Sequence, residues 1–463
     1  MKFWKYGRVA LALMGSIVLG MSITCCGVYT SGYMYVTGAE FNQIAAYKID
    51  HDFGYLTPVT GSPFAAAGTD PVQEIVLPGG RFLAVLSRGS GLVSIYTIGG
   101  GGVLYFQQSY STSGKSPVSL GISPGGGFLY ALDQVAPPNY INGVDQNAGR
   151  GDVTVFQVDP STGKLTLITN QNTFNTNGSQ LPYFTVNFNP VQLVTAGGGT
   201  GAGGSFLYAL DTGYPANSTT VTPPSCQNQT IGSPCTQSYG IPTACQNQAL
   251  GSPCTTADVF LYAINTSNGQ LTLTQNQPLN IGTQPTAAST MYTSPNGAYI
   301  YIADTQNGAN SGRILPFTVG PGGVLQTLVG GPINNLSNAA SFPDAFLANS
   351  NTNFLYVANF GPSNIQQPNS NISAFTIDQT NGQLQAVAGG TNGLNPAPTG
   401  AGPIWMAEDP TNQYLYTANF NDNTITGKII DTTHGLLSNL LKGPVQISTV
   451  GQPTFVAVSG RTY

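Results

Sequence analysis

The chain has 463 residues, of which 7% are charged, 41% hydrophobic and 10% aromatic, and its formal net charge is −5. This apolar content is sufficient for a large core, which excludes a disordered polar chain. Lys and Arg together number 13 and form no basic stripe. A nucleic-acid-binding surface is therefore excluded, because phosphate contacts require clustered cations.

The N-terminus has the pattern of an export signal. Three basic residues among the first eight precede an apolar run over 9–23, which is short for a membrane span. Cys25 and Cys26 follow and resemble the lipid-attachment site of a bacterial lipoprotein, with Cys26 slightly favoured. Ordinary cleavage and free secretion is the alternative. We therefore predict a signal over 1–26 and an extracytoplasmic protein, either lipid-anchored to the cell envelope or secreted.

A hairpin pattern recurs seven times along the rest of the chain. Each copy has an apolar strand, here called C, then a turn with glycine, then a short strand D that usually begins at a leucine. The C strands begin at Ile44, Val93, Val153, Val259, Ile314, Ile372 and Ile425. A hairpin repeated at such intervals is typical of a β-propeller.

Two further strands precede each hairpin. A proline opens strand A, where its missing N–H breaks no ladder bond, and an aromatic-rich strand B follows a turn of Gly, Asn and Pro. The prolines are Pro71, Pro117, Pro190, Pro285, Pro343, Pro403 and Pro453.

The first repeat lacks a strand A, since Gly32–Val36 already has the pattern of strand B. Conversely, Pro453 opens a strand with nothing after it. The sequence therefore predicts an all-β fold over 27–463: a seven-bladed β-propeller of four-stranded blades, its ring closed by the C-terminal strand. A row of separate β-sandwiches is the alternative, but the regular spacing favours one ring.

Strand alternation sorts the loops onto two ends of the sheets. The D–A and B–C connections share one end, here called the B–C face, and the A–B and C–D turns share the other, the C–D face. Two long insertions, 134–152 and 212–257, lie in the B–C connections of the third and fourth repeats. Long loops inside a compact domain are usually functional.

The insertion at 212–257 contains four cysteines in two near-identical segments, namely Cys226, Cys235, Cys245 and Cys254. In an exported protein they predict two disulfide-closed loops, most simply 226–235 and 245–254, although three pairings are possible. Structural zinc fits poorly, because the spacing is wrong and no histidine is nearby.

Both histidines, His51 and His434, lie in predicted C–D turns. A histidine-based nucleophile or metal site at the B–C face is therefore excluded. The sequence predicts no metal and no cofactor.

Carboxylates and arginines are the candidate catalytic residues. Glu74, Asp344 and Glu408 lie on predicted A strands near the channel, and Arg88 and Arg313 lie in B–C connections. A carboxylate with a raised pKa could act as a general base, and an arginine could stabilise an oxyanion. The alternative role for these carboxylates is a hydrogen bond that bridges two blades.

Further polar and aromatic residues are candidates for ligand binding. Asp133, Asp211 and Asp304 end predicted B strands, where each could contact a ligand or cap the following turn. Trp405 could stack on a sugar ring at the channel mouth or pack between blades.

Three recurrent strings carry a family resemblance, for example Phe354-Leu-Tyr-Val-Ala-Asn, Ser294-Pro-Asn-Gly and Phe375-Thr-Ile-Asp…Asn-Gly-Gln-Leu. They resemble the lactonase-like seven-bladed propellers, the family of 6-phosphogluconolactonases and carboxymuconate cyclases, over about residues 32 to 460. The resemblance implies lactone opening or closure by a histidine with glutamate and arginine partners. This chain has no histidine for that role, and its few cations argue against a phosphorylated sugar.

Two functions fit these observations. The favoured one is an exported propeller that binds a polar small molecule, a glycan or a cell-envelope protein. The other is an extracytoplasmic lactonase that hydrolyses a neutral lactone with a carboxylate base, so whether the protein is an enzyme stays open. We expect a monomer that contacts a membrane only through a lipid anchor and binds no nucleic acid.

Overall fold

The computed structural model describes residues 29–141, 143–175, 177–197, 203–213, 220–221, 239–240, 253–274, 278–279, 288–304, 312–328, 330–334, 342–361, 370–390, 393–443, 445–446 and 450–460. The predicted signal, Cys25, Cys26, Cys226, Cys235 and Cys245 lie outside these residues, and Cys254 is described only as part of a strand backbone. None of the described segments forms a helix with the length and apolar character needed to cross a membrane.

Short strands make up most of the described chain, which confirms the all-β prediction. In the first three repeats they are β1 (Thr30–Gly38), β2 (Gln43–Asp50), β3 (Leu56–Pro58), β4 (Phe64–Ala65), β5 (Pro71–Val76), β6 (Phe82–Ser87), β7 (Leu92–Ile98), β8 (Leu104–Ser111), β9 (Lys115–Ile122), β10 (Phe128–Val135), β11 (Tyr140–Ile141), β12 (Val144–Asp145), β13 (Arg150–Val158) and β14 (Leu165–Ile168).

In the fourth and fifth repeats they are β15 (Phe184–Gly197), β16 (Ser205–Gly213), β17 (Thr220–Val221), β18 (Tyr239–Gly240), β19 (Pro253–Ile264), β20 (Leu271–Leu273), β21 (Ala288–Thr293), β22 (Tyr299–Asp304), β23 (Arg313–Val319), β24 (Leu325–Thr327) and β25 (Ile333–Asn334). Helix is limited, within the described residues, to 3₁₀ turns at Gly100–Gly102 and Pro321–Gly323.

In the last two repeats they are β26 (Phe342–Ala348), β27 (Phe354–Phe360), β28 (Asn371–Ile377), β29 (Leu384–Ala386), β30 (Ala397–Pro398), β31 (Pro403–Glu408), β32 (Tyr414–Asn419), β33 (Thr424–Ile430), β34 (Leu437–Asn439) and β35 (Val445–Gln446), and the chain ends with β36 (Pro453–Gly460).

Each repeat forms an antiparallel sheet in the order A, B, C, D, as in β5-β6-β7-β8 and β31-β32-β33-β34. The third and fourth repeats share one eight-stranded sheet, because β13 also pairs with β15. The C-terminal β36 pairs with β1 and lies in the order β3-β2-β1-β36. The first repeat thereby has the same four-strand order as the others.

The prolines of strand A mark β-bulges more consistently than they mark the first residue of a strand. Pro71, Pro403 and Pro453 do begin their strands, whereas Pro190 lies inside β15. In six repeats the register shifts directly after the proline, and a bulge tolerates a residue without an N–H. The residues at these shifts, here called the bulge residues, are Val72, Val118, Val191, Asp344, Ile404 and Thr454.

Neighbouring sheets are joined by contacts between an aromatic ring at the start of strand B and a glycine in the next repeat's C–D turn. A Cβ on any of these glycines would lie 2.2–2.7 Å from a ring atom, and all have positive φ. Only glycine therefore fits. The pairs are Tyr33–Gly102, Phe82–Gly163, Phe128–Gly269, Phe206–Gly323, Tyr299–Gly382, Phe354–Gly435 and Tyr414–Gly54. The last of them joins the seventh repeat to the first.

Candidate functional site

The B–C face carries a row of polar pairs, because the residue that ends strand B lies opposite the first residues of strand C. Five repeats show such a pair: Asp133↔Asp152, Asp211↔Asp258, Asp304↔Arg313, Asn359↔Asn371 and Asn419↔Thr424. Asp152 and Asp258 were not predicted from the sequence. Each directly precedes the apolar run of its C strand, which is the signal that would have revealed it.

Asp133 and Asp152 are two fully buried carboxyl groups on paired strands. Thr112 Oγ1 donates to Asp133 Oδ1 at 2.8 Å, and the Gly114 N–H donates to Oδ2 at 3.3 Å. Burial nevertheless raises the pKa of Asp133 to about 7. Burial and the adjacent Asp133 raise the pKa of Asp152 well above its usual value. At neutral pH, therefore, at least one of the two carboxyl groups is protonated.

A buried arginine, Arg150, lies at the same face beside the second acidic pair. Its Nη1 donates to Asn187 Oδ1 at 2.9 Å, and its guanidinium lies 4.3 Å from the centroid of the Phe188 ring. Burial and Asp258 raise the pKa of Asp211, while the charge of Arg150 opposes that rise. Arg150 was also missed from the sequence, because it lies inside the 134–152 insertion.

The two arginines predicted as oxyanion groups are each paired with an aspartate. Arg313 Nε lies 2.6 Å from Asp304 Oδ2, and their side chains are 16% and 0% exposed. Arg88 Nε lies 2.7 Å from Asp70 Oδ2 at the surface. The structure thus brings Arg313 together with Asp304, a predicted ligand-binding residue, rather than with a carboxylate of strand A.

Glu74 lies in β5, fully buried against the C-terminal strand. Its Oε1 accepts the Ala457 N–H at 3.2 Å, whereas Oε2 has no hydrogen-bond partner among the described residues. Burial raises its pKa well above the usual value. This geometry matches the alternative in which the carboxyl group bridges two repeats.

Glu408 lies at the opposite end of its strand from the B–C face. It pairs in register with Leu415, whereas Pro403 of the same strand pairs with Asn419. The Ser350 N–H and Oγ donate to Glu408 Oε2 at 2.9 and 3.0 Å, and burial raises the pKa of the carboxyl group. Glu408 therefore joins two A–B turns.

Asp344 is the acidic member of the bulge residues, whose other members are Val, Ile or Thr. Its side chain is half-buried and has no hydrogen-bond partner within the described part of the chain. Burial raises its pKa to about 6. Of the three predicted A-strand carboxylates, Asp344 is the one that lies nearest the start of its strand and has no such partner.

Trp405 stacks on Phe455, with ring centroids 4.0 Å apart and an interplanar angle of 28°. The two residues belong to β31 and β36, so this contact joins the seventh repeat to the sheet of the first. The geometry matches the packing alternative for Trp405.

The insertion of the third repeat forms a small hairpin, β11–β12, at the B–C face. Asp145 Oδ1 accepts the N–H groups of Asn139 and Asn147 at 2.9 and 3.0 Å. Tyr140 and Val144 are nevertheless 58% and 62% exposed. The hairpin therefore presents two apolar side chains to solvent.

A second set of hydrogen bonds fixes this hairpin to the body of the fold. Asn147 Nδ2 donates to the Pro137 carbonyl at 2.7 Å and to the Tyr183 hydroxyl at 2.9 Å. Tyr183 is buried just before β15. Most of the other insertion, 212–257, lies outside the described residues.

Both histidines lie on the C–D face. His51 is in the turn after β2, and His434 Nδ1 lies 2.9 Å from Asp431 Oδ2 in the last C–D turn. Within the described ranges, no group of three or more His, Cys, Asp or Glu side chains is placed to hold a metal ion.

A model of the lactonase seven-bladed β-propeller family matches residues 28–179. A candidate 6-phosphogluconolactonase from Bacteroides uniformis has a similar structure, with 14% identity, a TM-score of 0.60 and coverage of 93% of this chain and 100% of that chain. The periplasmic gluconolactonase of Pseudomonas aeruginosa is also similar, with 17% identity, a TM-score of 0.59 and coverage of 93% of this chain and 99% of that chain. A protein from Lactobacillus plantarum has 16% identity, a TM-score of 0.57 and coverage of 93% of this chain and 99% of that chain. No curated protein matches the sequence.

At these identities the structural likeness establishes the fold alone. The predicted resemblance to the lactonase-like propellers is confirmed, and the chain has an all-β propeller fold.

Proposed function

We propose that this lactonase-like propeller is an exported binding protein whose B–C face binds a neutral saccharide at the cell envelope. The observation that carries the proposal is the β11–β12 hairpin, which holds Tyr140 and Val144 in solvent on a fixed backbone. Exposed aromatic groups on a rigid support are typical of binding sites, because little conformational entropy is lost when a ligand covers them.

The charge of the chain favours a neutral ligand. Only 7% of the residues are charged. Of the arginines at the B–C face, Arg88 and Arg313 already face aspartates, and Arg150 is buried. Within the described residues, Lys115 is the exposed lysine at this face, so a phosphorylated or carboxylated ligand would meet a single cation rather than a clamp of several. A saccharide instead offers hydroxyl groups for neutral polar side chains and an apolar ring face for Tyr140.

The positions of the predicted catalytic residues also favour binding over hydrolysis. Glu74 is buried against Ala457, and Glu408 contacts Ser350 at the far end of its strand. A general base must lie within hydrogen-bond reach of the atom it deprotonates, and an oxyanion group must lie close to the same substrate. Glu74 and Glu408 contact different parts of the fold, so they do not converge on one substrate position.

We infer further that the fold is a ring of seven blades closed by the C-terminal strand. Two observations support this. The A strands contact one another in the order β36, β5, β9, β15, β21, β26, β31 and again β36. The seven aromatic–glycine contacts follow the same order, and Tyr414–Gly54 joins the two ends of the series. In a closed ring of this kind the sheet edges that remain are short and protected.

A saccharide array tests the proposed function. The full-length gene is expressed, the mature protein is purified and labelled, and binding to neutral glycans is compared between the unchanged protein and a Tyr140→Ser, Val144→Ser double variant. We expect a defined glycan class to be bound and the double variant to lose that binding. Phe53→Ser is the matched control, because Phe53 is equally exposed but lies in a C–D turn on the other face.

Two results would reject the proposal. One is equal loss in Phe53→Ser and in the hairpin variant, which would mean non-specific adhesion of exposed apolar groups. The other is no glycan binding together with capture of a purified envelope protein, which would assign the same face to a protein partner.

Lactone hydrolysis is the second candidate, and Asp344 is the observation that favours it. An acid with a pKa of about 6 at a position that is Val, Ile or Thr in the other repeats is suited to act as a general base. The test is acid release from a panel of neutral lactones, with Asp344→Asn as the variant. Asp344→Val is the control for folding, because Val occupies this bulge position in three other repeats. Turnover that both variants lose and that rises with pH through about 6 would establish this candidate.

A further inference from the structure

A lysine occupies the place of a core aromatic residue in the seventh repeat. Lys428 is the fourth residue of strand C and is 2% exposed. The six equivalent residues are all buried and aromatic: Tyr47, Tyr96, Phe156, Tyr262, Phe317 and Phe375. Buried lysines are uncommon unless they are paired with an opposite charge, so the exchange of an aromatic residue for lysine requires an explanation.

Among the described residues, the side chain of Lys428 makes one polar contact, and its partner is a neutral group. Its Nζ donates to Oδ1 of Asn439, the residue opposite it on β34. No carboxylate lies within ion-pair distance of Nζ in the part of the chain that the structure describes. Burial without a counter-charge lowers the pKa of Lys428 to about 8. A substantial fraction of this amine is therefore uncharged at mildly alkaline pH.

A surface pocket reaches this lysine at the outer edge of the seventh repeat. Lys428 lines it together with Thr399, Thr426, Asn439 and Lys442. Its walls combine these hydroxyl and amide groups with the apolar side chains of Leu440 and Leu441, and they carry no negative charge. The pocket therefore suits a small polar molecule that carries no positive charge.

The pocket has a second amine, that of Lys442, in a different environment. Lys442 Nζ lies 4.2 Å from the centroid of the Tyr55 ring, in a cation–π contact at the exposed rim. The two lysines thus differ in burial while sharing one pocket. Lys442 provides an internal comparison for the reactivity of Lys428.

We propose that Lys428 is a covalent attachment site for small polar aldehydes. The Nζ lone pair attacks the carbonyl carbon to form a C–N bond, and a proton moves from nitrogen to the carbonyl oxygen. The resulting carbinolamine loses its hydroxyl group and the second nitrogen-bound proton as water, which leaves an imine. A desolvated lysine in a pocket is suited to this chemistry, because the uncharged amine is the nucleophile. This site is separate from the hairpin and does not depend on the proposed saccharide binding.

Reductive trapping tests this proposal. The mature protein is incubated with glycolaldehyde and sodium cyanoborohydride, and the modified lysines are located by peptide mass spectrometry. At pH 8 we expect Lys428 to be modified at least about tenfold faster than Lys442, because burial lowers the pKa of Lys428 and so leaves much of its amine uncharged in the pocket. The rate at Lys428 should rise up to a pH of about 8 and then level off.

Two variants complete the design. Lys428→Phe installs the residue found at this position in three other repeats, and it should leave the labelling of Lys442 unchanged. Lys442→Gln should leave the labelling of Lys428 unchanged. The proposal is overturned if Lys428 is labelled more slowly than Lys442 in the unchanged protein. That comparison decides the matter even if Lys428→Phe does not fold.

Discussion

The Tyr416 hydroxyl donates a hydrogen bond of 2.8 Å to the carbonyl oxygen of Gly54, a residue 362 positions earlier in the chain. It joins strand B of the seventh repeat to the C–D turn of the first. Tyr35 donates to Gly102 at 3.1 Å and Tyr208 to Gly323 at 2.6 Å in the same way. The equivalent hydroxyls of Tyr130, Tyr301 and Tyr356 are buried without a partner among the described residues.

The first prediction concerns the hydrogen bond from Tyr416 to Gly54. Tyr416→Phe should lower the free energy of unfolding by about 0.5–1.5 kcal/mol, because a buried carbonyl loses its donor. Tyr356→Phe is the matched control, and it should cost less, since its hydroxyl has no such bond to lose. Urea unfolding measures both. Equal losses would mean that the Tyr416–Gly54 bond adds nothing to the contact between the first and last repeats.

The second prediction concerns the glycine in the same contact. Gly54 has a φ of +66°, and a Cβ there would lie 2.4 Å from the ring of Tyr414. Gly322 has the same φ of +66°, with no atom within 4 Å of the added Cβ. Both Gly→Ala variants carry the same backbone strain, so their difference isolates the steric clash. We expect Gly54→Ala to lose about 1–3 kcal/mol more stability than Gly322→Ala in urea unfolding. Equal losses would contradict the packing described for this contact.

The third prediction separates the two arginine pairs. Arg313→Met removes the guanidinium from the buried Asp304 carboxylate and should cost about 3–5 kcal/mol. Arg88→Met removes a surface ion pair and should cost at most about 1 kcal/mol. Thermal unfolding of both variants at neutral pH distinguishes them. A large effect of Arg88→Met on ligand binding rather than on stability would instead assign that arginine to the site.

The fourth prediction is a pH dependence from the buried acidic pair. Burial raises the pKa of Asp133 from 3.8 to about 7, and it raises that of Asp152 as well. Between about pH 4 and pH 7 the folded state therefore binds more protons than the unfolded chain. Stability from these groups is complete below about pH 4 and is lost as the pH rises through about 7.

Asp152→Asn tests that dependence. It removes the like charge, so the variant should match the unchanged protein near pH 4 and exceed its stability at pH 8. Asp378→Asn is a control of opposite sign, because hydrogen bonds from Thr380 lower the pKa of Asp378. The Asp378→Asn variant should be less stable than the unchanged protein at pH 8, and the two should be equally stable below the lowered pKa of Asp378. If the stability of Asp152→Asn follows the unchanged protein from pH 4 to 8, the pair does not hold a proton.

The repeat pattern could be predicted from sequence because each strand carries its own signal. The Phe-Leu-Tyr runs and the turn glycines recur in successive repeats, and the unmatched strand after Pro453 supplies the strand that the first repeat lacks, so the strand order was predicted correctly. The C–D glycines were recognised as turn residues. Their contact with an aromatic ring of the preceding repeat was not, since that contact joins residues far apart in sequence.

The site was harder to predict, because membership of the same strand type does not place side chains at the same height. Asp344 directly follows its proline, Glu74 comes three positions after Pro71, and Glu408 comes five after Pro403. At about 3.3 Å per residue, these carboxylates lie at different levels of their sheets. Asp152, Asp258 and Arg150 were missed because their partners become visible only once the strand register is known.

The most direct test of the account is isothermal titration of the mature protein with the saccharide selected on the array. The unchanged protein, the Tyr140→Ser, Val144→Ser double variant and Phe53→Ser are titrated in the same buffer. We predict that the unchanged protein and Phe53→Ser bind equally and that the hairpin variant loses at least about tenfold in affinity, or about 1.4 kcal/mol. Unchanged affinity in a folded hairpin variant would contradict the assignment of the B–C face as the binding surface.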